Sequence, residues 1–482
     1  MSNPKNLKFD WDQGRRVGII SGTYFKNIRN ILSVPNNNAK FARFQTNRYV
    51  QQRIYSITPT GRFDPCLYYE IKKHLKQEDV KVSINKTDSF IRQIYPRYNI
   101  SPKFNLNLKL RDYQQEIVKR CLSIGRGSVV LATAGGKTLT IASLIENVYQ
   151  NNKNIKCLII VPDLMLVNQT YNDFREYGTT FLSNKWTGSH ELDISSNVII
   201  ANAGILLSDK SDTNWTEHID LLIVDEVHKV RKSNKINKII KKIRSPHKFG
   251  FTGTMPEELP DQWNIIGKIG PIIYEKDSSA LREEQYISKV GAQILQLQYK
   301  DKIKRTSSRA NPTKDYRKEI EFISKSKYRN KIITNLCQSV DNNTLILVDF
   351  IEHGETLFDK LNETLKNKQV YFIRGNVPVE ERDKIKEKME RDNNIICIAV
   401  SKIFSTGVSI NNLHYIVFAG GGKAKVKTIQ SIGRGLRQHK TKSKMIIFDV
   451  ADQLHYGQLH SEKRMQIYNS ENIKYNITLL TE

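Results

Sequence analysis

Five short apolar runs, SVVLAT, KCLIIVPD, NVIIANA, DLLIVDE and KFGFTGT, follow one another with helical patterns between them. Runs so short and so continuously apolar suit strands buried on both faces, and hence a parallel sheet covered by helices. Their alternation with helices reads as a series of βαβ units. A second series, NTLILVDF, QVYFIRG, IICIAVS, YIVFAG and KMIIFDV, occupies the later part of the chain. The expected fold is therefore α/β, with tandem parallel-sheet domains over 101–298 and 321–452. A length of 482 residues leaves room for such a pair and a smaller unit besides.

That smaller unit is expected over 1–100, where strand-like runs (RRVGIISGTYF, RIYSITPT), a helical pattern LYYEIKKHLKQ and a further strand KVSIN suggest α+β structure. Residues 299–320 are charged and lack an apolar run, so they read as a linker; 453–482 read as a polar, partly helical tail. No apolar run approaches the length needed to span a bilayer, so no membrane is expected as a partner. The N-terminus has no signal-peptide core and predicts a cytoplasmic protein. The five cysteines are scattered without a CxxC pair and read as buried side chains, not as a zinc site or disulfide frame.

Charge points to a partner. Lys and Arg number 76 against 49 Asp and Glu, a net charge of +27. Such an excess favours a polyanion, because neutralising phosphates releases counterions. A merely solubilising surface is the alternative.

The stretch VVLATAGGKTLTIASLI places a small-residue turn between an apolar strand and a helix, where a phosphate cradle belongs. Gly135 and Gly136 let backbone amides face an anion, Lys137 would reach the β and γ phosphates of a nucleoside triphosphate, and Thr138 would hold Mg²⁺. Leu131 stands where the strict phosphate-loop pattern has glycine, so alone the turn could be a glycine bend with a surface lysine. A second feature supports the nucleotide reading. DLLIVDEVHK sets Asp225 and Glu226 at the end of a strand, where one carboxylate can serve Mg²⁺ and the other can orient the attacking water.

These features resemble the superfamily 2 helicases, and the resemblance runs in order through about 350 residues. LRDYQQEIV carries Gln114, matching the glutamine that reads adenine. ATAGGKT matches motif I, VPDLMLVNQ motif Ia, DEVH motif II, TGT motif III, SKIFSTGVSI motif V and QSIGRGLR motif VI. The resemblance implies two RecA-like domains, nucleotide contacts from Gln114, Thr133, Ala134, Gly135, Gly136, Lys137, Thr138 and Gly407, and metal contacts from Thr138 and Asp225. It implies catalytic roles for Lys137, Asp225, Glu226, Arg434 and Arg437; the two arginines stand three apart, on one face of a helix. Within the superfamily the likeness is to the phage UvsW-like recombination helicases, which remodel branched DNA by branch migration, fork regression and strand displacement. That implies forked or branched DNA as partner, single strands among its forms, and the host cytoplasm as location. An RNA helicase and a duplex translocase stay open as alternatives. Protein partners are not legible.

Candidate nucleic-acid contacts are Thr187, Gly188, Ser405 and Thr406 in the core, and Lys423 and Lys425 in the loop before motif VI. On the N-terminal unit they are Arg15, Arg16, Lys72 and Lys73 within a basic set that includes Lys26, Arg29, Arg43, Arg48, Arg53 and Arg62. Tyr24, Phe25, Phe41 and Phe44 lie among these charges and either stack on bases or belong to a core.

Overall fold

The computed structural model describes residues 5–36, 39, 51–76, 78–84, 88–208, 211–232, 236–300, 312–375, 377–401, 410–420 and 444–482. The chain divides into two compact units, Met1–Leu131 with Gly136–Lys276, and Ala132–Gly135 with Asp277–Glu482.

The first unit holds a seven-stranded, all-parallel sheet. Its strands lie in the order Ile272–Lys276, Gly127–Leu131, Lys248–Thr252, Leu221–Asp225, Cys157–Val161, Val198–Asn202, Ser183–Trp186. The central strands are buried along their length, as their unbroken apolar runs require. Leu158, Ile160, Ile199, Leu222 and Val224 face Ile236, Ile239, Ile240 and Ile265 from covering helices.

In the same unit the N-terminal region forms a mixed four-stranded sheet, Arg62–Phe63, Val17–Ser21, Asn6–Asp12, Lys81–Ile84. Helices Phe25–Ile31, Tyr68–Leu75 and Asp88–Ile94 accompany it. Its core gathers Leu7, Phe9, Ile20, Ile28, Phe63 and Phe90, and takes in Trp263 from the first parallel-sheet region. Tyr24 is buried here and Phe25 packs against the cluster, so both are core residues; Phe41 and Phe44 lie outside the described residues.

The second unit holds another all-parallel seven-stranded sheet. Its order is Gln369–Ile373, Ile395–Val400, Thr344–Val348, Tyr415–Phe418, Lys444–Asp452, Lys289–Gln298, Lys474–Thr481. Together the sheets are the tandem RecA-like pair. The partition expected from the sequence changes in three places. Lys289–Gln298, expected at the end of the first domain, is a second-sheet strand, paired in parallel register with Lys444–Asp452 on one side and Lys474–Thr481 on the other. The expected linker is helical from Pro312 on. The expected tail is a helix, His455–Ser470, and a strand.

A buried ion pair binds that C-terminal helix to the sheet, Arg464 Nε to Asp449 Oδ2 at 2.7 Å, and another, Arg329 Nε to Asp452 Oδ1 at 2.8 Å, binds the helix Lys327–Ser339 to the same strand. All five cysteines are buried and free, as expected. Among the described residues no helix is long and apolar enough to cross a membrane.

Candidate nucleotide site

Three adjacent strands of the first sheet, Gly127–Leu131, Lys248–Thr252 and Leu221–Asp225, run parallel and deliver their carboxyl ends to one edge. Ligands of open α/β sheets bind at such edges. After Leu131 the chain turns, with Gly135 N–H donating to Ala132 O at 3.0 Å, and enters the helix Lys137–Asn151. Ala134 (φ 66°) and Gly136 (φ 77°) are left-handed. For alanine that conformation costs about 1–2 kcal/mol, an expense that clusters at functional turns.

Lys137 begins the helix and extends to Glu226, Nζ to Oε1 3.6 Å, with both side chains mostly buried. Glu226 is itself left-handed, at φ 51°. Its N–H donates to Asp225 Oδ1 at 2.9 Å, which fixes the aspartate against the chain. Glu226 Oε2 lies 3.3 Å from His228 Nδ1, and that nitrogen lies 2.8 Å from Thr252 Oγ1. The Thr252 hydroxyl donates to Thr254 O at 2.8 Å. Lys137, Glu226, His228, Thr252 and Thr254 thus form one connected path across the ends of three strands. The sequence pointed to these residues separately; their contiguity comes from strand order.

Gln114 is buried, and its place is specific. Its Oε1 accepts the Arg111 N–H at 2.8 Å, and its Nε2 donates to Gly136 O at 3.3 Å. The Thr140 N–H and hydroxyl also reach Gly136 O, at 3.1 and 3.0 Å. Gln114 therefore props the turn from beneath, a contact the expectation of adenine reading does not contain. Thr133 and Thr138 are partly exposed at the turn and the helix start.

Motif reading also missed residues within the strand Lys248–Thr252 and immediately before it. A Cβ on Gly250 would lie 2.8 Å from Val227 Cγ2, so the middle of Lys248–Thr252 admits the DEVH segment only without a side chain. A lone glycine inside an apolar strand was the available signal. Lys248 is buried and donates from Nζ to Ile240 O and Ile243 O at 2.8 and 2.9 Å. Burial pushes its pKa well below the ordinary lysine value. His247 stacks on Tyr98, rings 3.9 Å apart, with Nδ1 3.1 Å from Gly125 O. Burial brings its pKa down to about 4.

Several expected nucleic-acid contacts turn out to be occupied within the fold. Thr187 is buried in a tight turn: its N–H donates to His190 O at 3.1 Å and its Oγ1 lies 2.9 Å from His190 Nδ1. Gly188, at the tip of that turn, is open. Arg16 donates from Nη2 to Lys241 O at 2.9 Å, capping the C-terminus of the helix Ile236–Lys242. Arg29 lies 3.6 Å over the Tyr55 ring, and Arg53 donates to Ser33 Oγ at 2.8 Å. Among the described residues of the basic N-terminal set, Arg15, Lys26, Lys72 and Lys73 are exposed. Arg43, Arg48, Ser405, Thr406, Gly407, Lys423, Lys425, Arg434 and Arg437 lie outside the described residues.

Residues 107–257 match the family described as Type III restriction enzyme, res subunit, and 327–439 match the Helicase conserved C-terminal domain. The chain is 28% identical over 388 residues to the ATP-dependent DNA helicase uvsW of Enterobacteria phage T4, covering 75% of this chain and 76% of that protein. It is 24% identical over 425 residues to the DNA 3'-5' translocase XPB2 of Sulfurisphaera tokodaii, covering 79% and 88%. Among solved structures, the DUF1998 helicase MrfA bound to DNA aligns with a TM-score of 0.55 at 17% identity, over 77% of this chain and 50% of that one. At that identity the likeness is one of fold.

Proposed function

Because the chain belongs to the ATP-dependent helicases of superfamily 2, we propose that its ATP hydrolysis drives the remodelling of branched DNA, in recombination, repair and replication. The observation that carries the reading is the path from Lys137 through Glu226 and His228 to Thr252, which joins the phosphate turn to the residues that resemble motif III. A triphosphate at the turn competes with Glu226 for the Lys137 ammonium. As Lys137 swings to phosphate oxygens, Glu226 is released to accept a proton from the attacking water. His228 then registers the change, since Glu226 and Thr252 both hold the same ring nitrogen.

Asp225 and Thr138 are the residues that would hold Mg²⁺. A carboxylate already oriented by the next N–H and a hydroxyl at the helix start are oxygen donors suited to that ion. When bound, the ion would neutralise charge on the β and γ oxygens. Arg434 and Arg437, carried over from the motif resemblance, are proposed to add charge at the γ-phosphate.

The DNA preference rests on the charge of +27 and on the relatives, a DNA helicase and a DNA translocase by name. Lys72, Lys73, Arg15 and Gly188 are the exposed contacts proposed for the backbone. The test is ATP hydrolysis on equal concentrations of single-stranded DNA, linear duplex, forked DNA and RNA, with Glu226→Gln as control. Strongest stimulation by forked DNA, absent in the variant, supports branch remodelling. Equal stimulation by linear duplex would instead favour a duplex translocase, as the second relative's name describes, and stimulation by RNA alone would sink the DNA reading.

A further inference from the structure

The helix Leu259–Lys268 begins five residues after Thr254 and is buried along most of its length. One of its faces holds the chain that follows DEVH. Asp261 Oδ1 accepts the Lys232 N–H at 2.8 Å, and Asn264 Nδ2 donates to Val230 O at 3.1 Å and to Asn237 Oδ1 at 3.1 Å. Asp261 and Asn264 are three apart, so they share that face. Gln262 Nε2 donates to Pro256 O at 2.7 Å and ties down the loop leading from Thr254.

The other face is set into the N-terminal α+β region. Trp263 lies in that region's core with Phe63, Cys66 and Leu67. Gly267, four residues on, lies so close to Asp64 that a Cβ would stand 2.8 Å from Asp64 Cβ. Lys268 pairs with Asp64. The helix's last carbonyls, Lys268 O and Ile269 O, accept Nη2 and Nε of the buried Arg126 at 2.6 and 2.8 Å, while Arg126 Nη1 donates to Gln93 O. Lys232 Nζ donates to Tyr55 O, so the segment after DEVH also touches the N-terminal region directly.

We propose that the helix Leu259–Lys268 transmits the engagement of DNA by the N-terminal region to the hydrolytic residues, with Asp261 and Asn264 as positioning residues for the Glu226–His228 segment. The proposal rests on the function above and adds to it how substrate binding sets the hydrolysis rate. The proposal is argued from contiguity: a close-packed helix gripped by packed and hydrogen-bonded groups on both faces cannot be displaced on one side without moving the other. The N-terminal region then determines which DNA shape is hydrolytically productive, as well as adding affinity.

The experiment compares full-length wild type with Gly267→Ala, which wedges the helix from Asp64, and Asn264→Leu, which removes two hydrogen bonds at similar volume. ATP turnover is measured while forked DNA is titrated, with a thermal melt for each protein. For Gly267→Ala the basal rate and the half-saturating DNA concentration should stay within about twofold of wild type, while the maximal stimulated rate falls about fivefold or more. Asn264→Leu should lose stimulated rate likewise. Should Gly267→Ala fail to fold, Trp263→Phe, smaller at the same contact, is held to the same expectation. Variants whose stimulated rate stays near wild type would overturn the proposal, as would losses that follow weakened DNA binding in proportion. A wild-type protein that no DNA stimulates would overturn the proposed function itself, a result distinct from a stimulated wild type whose variants remain coupled.

Discussion

Gly136 and Gln114 offer a sharp test of what holds the phosphate turn in shape. Gly136 is left-handed at φ 77°, and a Cβ there would lie 2.3 Å from Gln114 Nε2. Gly136→Ala therefore carries two costs. Alanine in a left-handed conformation loses about 1–2 kcal/mol. Evicting the Gln114 amide breaks its bonds to Arg111 N–H and Gly136 O, about 2 kcal/mol net for two neutral hydrogen bonds. The turn must absorb both, because residues Leu139–Val148 of the following helix are all buried and cannot retreat.

ATP affinity should then fall by about 3–4 kcal/mol, a few hundredfold. Gln114→Ala alone spends only the second cost, about 30-fold. The double variant should bind no more weakly than Gly136→Ala, since the amide is already gone. A double-mutant cycle by calorimetry, in a Glu226→Gln background to prevent turnover, should give a coupling of about 2 kcal/mol. Additive effects, with coupling below about 0.5 kcal/mol, would refute the argument.

Other expectations concern chemistry and pH. Glu226→Gln should lower the turnover rate by about 10²–10⁴-fold while nucleotide binding persists, as single-turnover and binding assays would show. Thr252→Val removes the oxygen 2.8 Å from His228 Nδ1 and should reduce DNA-stimulated hydrolysis more than basal hydrolysis, read from the two rates side by side. His247 stays neutral in the folded chain down to about pH 4, whereas unfolded histidine takes its proton near 6.5, so unfolding binds a proton between those values. Its contribution is complete above about pH 6.5 and is lost as pH falls toward 4. The loss amounts to about 2 kcal/mol by pH 5. Denaturant melts at pH 7.5 and 5 should show His247→Phe, which keeps the ring stack on Tyr98, losing less stability on acidification than wild type; an equal loss would contradict the buried neutral ring.

The two sheets were legible because their strands are buried on both faces, and burial on both faces writes an unbroken apolar run. SVVLAT and NTLILVDF need no partner to be recognised. Lys289–Gln298 falls within the expected bounds of the first domain because its neighbours are strands that begin at Lys444 and Lys474, and nothing local encodes a partner that distant. The residues of the candidate site were readable as types, a lysine after two glycines and a carboxylate pair after a strand. Their joining through His228 and Thr252 depends on Lys248–Thr252 lying between the other two strands, which spacing along the chain does not express. The basic N-terminal set was read by charge alone, and charge does not distinguish a surface arginine from Arg16 capping a helix or Arg53 bonded to Ser33.

The interior place of Lys289–Gln298 in the second sheet also bears on how the chain is made. Its two neighbours leave the ribosome roughly 150 and roughly 180 residues later, a delay of about 8–37 s at ordinary elongation rates. During that interval a ten-residue strand carrying Ile294, Leu295 and Leu297 has neither of its hydrogen-bonding partners. Its apolar side chains stay exposed to water and to other nascent chains while synthesis continues. Slowing elongation between the codons for residues 298 and 444 should lengthen that exposure and lower soluble yield without altering one amino acid.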